Sequence, residues 1–378
     1  MSDRKGLYIH IPFCLSKCGY CAFNSYPVAA YDPPLYLTAL YREIDFWSGR
    51  AGDELFGSLF IGGGTPTILP TRELTGLLTL LREKFVITAD AEITVETNPN
   101  TVDPGKLREL RQFGVNRLSI GIQSFCDSTL QLINRSHTSA DGRHAIAMAR
   151  EAGFVNLNLD LIYGLPGQTP ATWRETLKEA LSLDPEHLAA YQLSIDPGSG
   201  FAEQVEGGGL RLPDEEATAT MAEQTLATVF SACLERYEIS NYARPNCRSR
   251  HNLIYWHNGS YLGLGAGAVS NWSGLRIRNL ADPNHYVKRL LNREPPWQEA
   301  EALAREPSFR ETVIMGLRLL EGLDLSGLQK RFGINPEEYY GETLRKLVKR
   351  NLLTIEGDRL RLTETALPFA NQVLAELV

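Results

Sequence analysis

The chain has 378 residues, a net charge of −7, 43% hydrophobic and 22% charged residues, the balance of an ordinary soluble protein with one large domain and one or two smaller ones. Its acidity, with no Lys/Arg run longer than three residues, argues against a sequence-independent grip on nucleic-acid phosphates. No apolar stretch is long enough to span a bilayer, and MSDRKGLYIHIPFC makes a poor signal peptide because His10 and Pro12 break its short apolar part; the expected compartment is the cytoplasm.

Six short apolar, β-branched runs cover residues 7–11, 58–61, 92–96, 117–120, 156–161 and 187–193. Segments of helical periodicity at 35–47, 71–84, 104–113, 140–152 and 169–183 stand between most of them. Such alternation predicts an α/β fold with a parallel sheet under helices. The first run feeds a cysteine loop and the second feeds Gly62-Gly63-Gly64-Thr65-Pro66. The others end at Glu96, Gln123, Asp160 and Ser194. Strand ends of a barrel converge on one mouth, whereas an open sheet concentrates its ligand at one switch point. Chemistry-bearing residues at every strand end therefore favour a partial barrel of six β/α units over residues 1–208.

Residues 209–300 form a connecting region. It opens with a helix over 214–236, started by Pro213 and Asp214, and continues through a stretch rich in Tyr, Asn, Gly and Trp without clear periodicity. Residues 301–378 read as helices followed by a hairpin turning at Glu356-Gly357-Asp358. This predicts a small C-terminal α+β domain, winged-helix-like in outline, a shape that does not by itself imply DNA binding.

Three of the six cysteines, Cys14, Cys18 and Cys21, fall within eight residues. In a reducing compartment such clustering points to metal ligation or redox chemistry. Cys126 and Cys233 are expected to be buried structural thiols. Cys247 lies between basic residues able to lower its pKa, although an incidental cysteine is the leading reading there. A structural zinc site wants four ligands, and no second cysteine pair is present. Three thiols on a four-iron core leave one iron open for a small chelating ligand.

The motif C-x3-C-x-Y-C resembles that of the radical S-adenosylmethionine superfamily. Together with YIHIPFC, GGGTPT, VETNPN, LSIGIQSF, LINRSH and NLDLIYGLPGQT, it makes the chain from residue 7 onward similar to the branch holding oxygen-independent coproporphyrinogen oxidases and haem chaperones. The resemblance implies a radical SAM partial (β/α)6 barrel in which Cys14, Cys18 and Cys21 hold a [4Fe-4S] cluster. It also implies that Tyr8, Tyr20, Gly63, Gly64, Thr65, Glu96, Gln123, Arg135 and Asp160 line the S-adenosylmethionine pocket, with the GGGTP segment at the ligand's amino group. The residue types suit that ligand: two carboxylates, an amide and an Arg offer acceptors for a ribose diol, a partner for an ammonium and a cation for a carboxylate. Asp160 interrupts an apolar run, where a buried charge needs a reason.

Within the branch, the oxidase pattern C-x3-C-x2-C-x-C is broken here by Phe23, and only thirteen residues precede Cys14 where the oxidases carry a longer arm. His251-Asn252-Leu253-Ile254-Tyr255-Trp256 resembles the HNxxYW motif of the haem chaperones. A neutral imidazole ligates haem iron well, and Tyr255 and Trp256 are suited to pack on a porphyrin. A lone His in an aromatic loop is more often structural, and His257 is a second candidate ligand. The resemblance implies a haem chaperone that hands haem to acceptor haemoproteins, among them respiratory enzymes met transiently at the inner face of the membrane. The cluster and S-adenosylmethionine would serve that transfer or a homodimer. Three rivals stand beside it: coproporphyrinogen III dehydrogenase, a radical methyltransferase of the same branch, and a nucleic-acid-binding module, which the acidity disfavours.

Overall fold

The computed structural model of the chain describes residues 4–197 and 199–378. Six parallel strands form its centre: β1 (Lys5–Ile11), β2 (Leu55–Gly63), β3 (Val86–Thr97), β4 (Arg117–Gln123), β5 (Leu157–Tyr163) and β6 (His187–Gln192). They pair in chain order. Between them run α1 (Pro33–Ala51), α2 (Thr71–Lys84), α3 (Pro104–Gln112), α4 (Ser139–Glu151) and α5 (Pro170–Ser182). The helix starts are written locally. Asp32 caps α1 by accepting from Leu35 N, and Thr138 with Asp141 and Thr169 with Thr172 form capping boxes for α4 and α5.

Strand alternation separates packing from chemistry. Leu7, Ile9 and Ile11 of β1, Ile93 and Val95 of β3, Leu118 and Ile120 of β4, and Leu157, Leu159 and Leu161 of β5 belong to one buried apolar cluster with the helices. Their sequence neighbours on the other face, Tyr8, His10, Glu96, Arg117, Ser119, Asn158 and Asp160, line the interior. Side chains on successive strand residues point to opposite faces, so each strand serves both purposes. The apolar side supplies the folding drive, and the polar side is left for a ligand.

The stretch without clear periodicity extends this sheet at both edges. Beyond β6 lies β7 (Asn241–Ala243), antiparallel to it. Beyond β1 lie α7 (Arg250–Trp256), then β8 (Tyr261–Leu264), parallel to β1, and the antiparallel β9 (Val269–Trp272), β10 (Leu275–Asn279) and β11 (Trp297–Ala302). The result is one twelve-stranded sheet, and among the described residues its two ends do not pair. The barrel is therefore partial. Glu43 on α1 ties the extension down. Its carboxylate accepts from Gly265 N (2.8 Å), Asn279 Nδ2 (2.7 Å) and Tyr286 Oη (2.6 Å), and burial raises its pKa to about 7.

The helix expected over 214–236 is α6 (Glu215–Ser231), with Asp214 as its cap. It stops earlier than the periodicity suggests because Cys233 takes a positive φ of 58°, which no α-helix continues through, and Glu235–Arg236 pairs with β7. Cys233 is exposed and Cys126 half-buried, so neither is a core thiol. At Cys247 the pKa is raised, by burial and the nearby Glu186, despite its basic neighbours, which leaves the incidental reading in place.

The C-terminal part builds a second apolar cluster. It comprises α8 (Arg305–Gly316), α9 (Leu325–Phe332), α10 (Pro336–Lys349) and a sheet of β12 (Leu323–Asp324), β13 (Leu353–Glu356) and β14 (Arg359–Leu362). The hairpin turns at Gly357, whose φ is +62°. This part leans on the barrel opening through α8: Glu311 accepts from Arg276 Nη2 (2.7 Å) and Thr312 accepts from Asn258 Nδ2 (3.0 Å).

Candidate functional site

The cysteine loop follows β1 directly. Phe13–Cys14 pairs in parallel with Tyr26–Pro27, which closes the loop that carries Cys18 and Cys21. All three sulfurs are free thiols on half-buried residues. Beneath them runs a chain of contacts. Arg135 Nη1 reaches Cys18 Sγ at 3.6 Å, and its Nη2 donates to Asn98 Oδ1. Asn98 Nδ2 donates to Thr65 Oγ1 at 2.6 Å, and Thr65 Oγ1 reaches Cys14 Sγ at 3.8 Å. A cation thus stands under one thiol of the loop and a hydroxyl under another. Burial raises the pKa of Cys14, an effect the Thr65 contact partly offsets.

These residues fit an iron–sulfur core by their donor set: three thiols on one loop beside a half-buried guanidinium that can serve as counter-charge to an anionic cluster. Gly64 supplies the room. A Cβ there would lie 2.5 Å from Phe13 O and 2.9 Å from Cys14 Sγ, so only glycine lets the turn after β2 pass beneath the loop. Among the described residues no three His, Cys, Asp or Glu side chains stand as a preformed metal site.

Further down the barrel, Glu96 Oε2 accepts from Gly63 N at 2.9 Å. Gly62 and Gly63 both lack room for a side chain: a Cβ would meet Glu96 Oε2 at 2.7 Å and His10 Cε1 at 2.7 Å respectively. Burial, reinforced by the negative charge of Asp160, raises Glu96 from 4.5 to about 8. Asp160 is itself raised by burial, against the donors Asn158 Nδ2 (2.9 Å) and Ser119 Oγ (2.9 Å). Two half-buried carboxylates with elevated pKa values in one barrel mark a functional site, since each would be relieved by a cationic ligand. Gln123 ends β4 at a φ of +66°, a strained conformation for a residue with a Cβ, and its Nε2 lies near Gly121.

The motif HNLIYW is α7, at the sheet opening. Glu92 of β3 accepts from the backbone N–H of Arg250 and of His251 (both 3.1 Å), which anchors the helix start to the barrel. His251 is 1% exposed. Its Nδ1 lies 2.9 Å from Ser58 Oγ and its Nε2 2.8 Å from Tyr255 Oη. Burial, then the nearby Arg117 charge, lowers its pKa to about 3, so the imidazole is neutral throughout the physiological range. Tyr255 packs edge-on against both His251 and Tyr261.

One cavity of about 590 Å³ joins these two regions. Tyr8, Gly63, Glu96 and Asp160 line one side and His251, Asn252, Tyr255 and Trp256 another. Cys14, Cys18, Cys21, Tyr20, Gly64, Thr65, Gln123 and Arg135 are not on that wall; there Thr65 contacts Cys14 and Arg135 contacts Cys18. Tyr20 packs beside Phe201. Phe23, 71% exposed, stands on the cavity wall. Sequence reasoning missed several wall residues. Arg117, Asn158 and Tyr191 were hidden inside apolar runs, although period-2 counting from Glu96 and Asp160 puts their class of position on the inner face.

Two family profiles match the chain: the Radical SAM superfamily over residues 8–180 and the HemN C-terminal domain over residues 303–369. The haem chaperone HemW of Bacillus subtilis is 35% identical over 98% of this chain and 98% of its own length. HemW of Escherichia coli is 38% identical over 69% of this chain and 68% of its own. Among solved structures, the Escherichia coli coproporphyrinogen III oxidase HemN, a radical SAM enzyme, superposes with a TM-score of 0.87 at 27% identity, covering 99% of this chain and 90% of that one.

Proposed function

We propose that this chain, which belongs to the haem chaperone HemW family within the radical SAM superfamily, binds haem in the barrel cavity and passes it to acceptor haemoproteins. One observation carries the reading. The HNLIYW residues His251, Asn252, Tyr255 and Trp256 and four of the nine residues expected to hold S-adenosylmethionine, Tyr8, Gly63, Glu96 and Asp160, face a single cavity of about 590 Å³, within the size range of small-molecule sites. Its aromatic wall of Tyr8, Phe60, Tyr255, Trp256 and Tyr261 suits a flat apolar macrocycle.

His251 is the iron ligand in this reading. It is neutral, and with the proton on Nδ1 shared with Ser58 its Nε2 lone pair faces Tyr255 Oη. Ligation exchanges that hydroxyl for iron. Cys14, Cys18 and Cys21 would hold the [4Fe-4S] cluster, with Arg135 beneath as counter-charge. When bound, the cluster supplies one electron to a sulfonium ligand at its open iron. Glu96 and Asp160 would receive the cationic and hydroxyl groups of S-adenosylmethionine, beside Gly63 on the same wall. The acceptors would be haemoproteins, among them respiratory enzymes at the membrane's inner face, and the cluster and S-adenosylmethionine would serve the transfer or a homodimer. No helix among the described residues is long and apolar enough to cross a membrane.

Haem titration of the purified protein tests the reading. The Soret band of haem is expected to shift on addition of wild-type protein and to respond differently with His251→Ala. No shift, or the same shift in both, overturns it. The HemN superposition favours a second reading, the oxidative decarboxylation of coproporphyrinogen III. Protoporphyrinogen formation in an anaerobic assay of the cluster-reconstituted protein would establish that one.

A further inference from the structure

The cavity wall holds one cation that the site described so far does not use. Arg117 opens β4, is 2% exposed and faces the interior. Among the described residues its guanidinium makes no hydrogen bond and no ion pair, and its Nε is buried without a partner. The other arginine of the wall contrasts with it: Arg276 donates to Glu311 at 2.7 Å and is thereby neutralised. Glu96 and Asp160 are close enough to feel the Arg117 charge, but neither carboxylate reaches it. Their own hydrogen bonds go instead to Gly63, Ser119 and Asn158. A buried arginine without a partner is costly, and its five donors form a fork shaped for a carboxylate.

We propose that Arg117 is the receptor for a carboxylate of the ligand that fills the cavity, and that this carboxylate is a haem propionate. The proposal rests on the haem reading above. The position suits it. Arg117 stands deep in the barrel at the start of its strand, away from the cysteine loop at the strand ends, and near enough to His251 to lower its basicity. One ligand with its iron at His251 and a propionate at Arg117 would lie across the aromatic wall between them. Haem entry then neutralises a charge that the empty cavity leaves bare. A propionate bound there would make the site selective for a free-acid porphyrin.

The test compares haem with haem dimethyl ester, which has the same macrocycle and iron but no propionate charge. Both are titrated by Soret absorbance into wild type, Arg117→Gln and Arg117→Lys, with Tm measured for each protein. Wild type is expected to bind haem about 10- to 100-fold more tightly than the ester, the span of a charged hydrogen-bonded pair. Arg117→Gln should lose that preference by weakening haem alone. Arg117→Lys, which keeps the charge without the fork, should recover part of it. Equal affinity of wild type for haem and ester overturns the proposal while the haem reading survives. An equal loss for both ligands in Arg117→Gln does the same, because it marks a structural role. No haem binding by wild type overturns both. The wild-type comparison decides the matter even if the variants do not fold.

Discussion

Removing one oxygen from Tyr255 tests how His251 becomes available to iron. In the ligand-free protein Tyr255 Oη lies 2.8 Å from His251 Nε2. A haem iron bound at Nε2 has to displace that hydroxyl. Tyr255→Phe keeps the ring, with its edge-on packing against His251 and Tyr261, and removes the competing contact. A net hydrogen bond is worth about 0.5–1.5 kcal/mol, so the variant's empty form should lose about that much stability. The haem-bound form, which has already given up the contact, should lose little. By linkage the affinity for haem should rise by the same free energy, about 2- to 12-fold at 1.36 kcal/mol per decade. Denaturant unfolding gives the first quantity and Soret titration the second. Affinity that is unchanged, or that falls as in His251→Ala, would refute ligation through Nε2.

The barrel carboxylates, the cluster loop and its glycine give three further predictions. Glu96 has a folded pKa of about 8 against an ordinary 4.5, so its contribution to stability is full below about pH 4.5 and is lost as pH rises through 8; relative to Glu96→Gln, wild type should lose stability progressively between pH 4.5 and 8 in denaturant melts, and parallel profiles over that range would show that Glu96 keeps its ordinary pKa in the folded protein. After anaerobic reconstitution, Cys14→Ala, Cys18→Ala and Cys21→Ala should each lose the iron–sulfur absorbance that Cys126→Ala, Cys233→Ala and Cys247→Ala keep. Gly64→Ala places a Cβ 2.5 Å from Phe13 O and 2.9 Å from Cys14 Sγ, so iron content per chain should fall and stability should drop by about 1–3 kcal/mol; full iron loading would show that the loop yields.

The barrel was legible because its strands carry two signals at once. In NLNLDLIY the leucines mark the packed face and Asp160 marks the other, and the same alternation exposes Glu96 in EITVET. Strand ends at Gly62–Thr65 and Glu96 showed where a mouth would form, and the fold brings both to the same wall through the Gly63–Glu96 contact. The residues 237–300 were not legible. Strands of three to five residues such as Asn241–Ala243 and Tyr261–Leu264 are too short to show a period, and they are stable only because β6 and β1 already offer an edge. The placement of His251 was out of reach for the same reason. HNLIYW reads as an aromatic loop, yet its start is held by Glu92, 159 residues earlier, and its ring by Ser58, 193 residues earlier. Arg117 opens an apolar run and looks like a solvated strand start; only the barrel's curvature turns it inward.

Haem hand-over tests the central claim most directly. The protein is loaded with one equivalent of haem, freed of excess and mixed with the apo-form of a haem-dependent respiratory enzyme, and the Soret bands of donor and acceptor are followed. A second mixture replaces the acceptor with a general haem scavenger that reports passive release. The account predicts transfer to the acceptor faster than passive release, with His251→Ala unable to support it. Transfer no faster than release to the scavenger would contradict a chaperone and leave a protein that only stores haem.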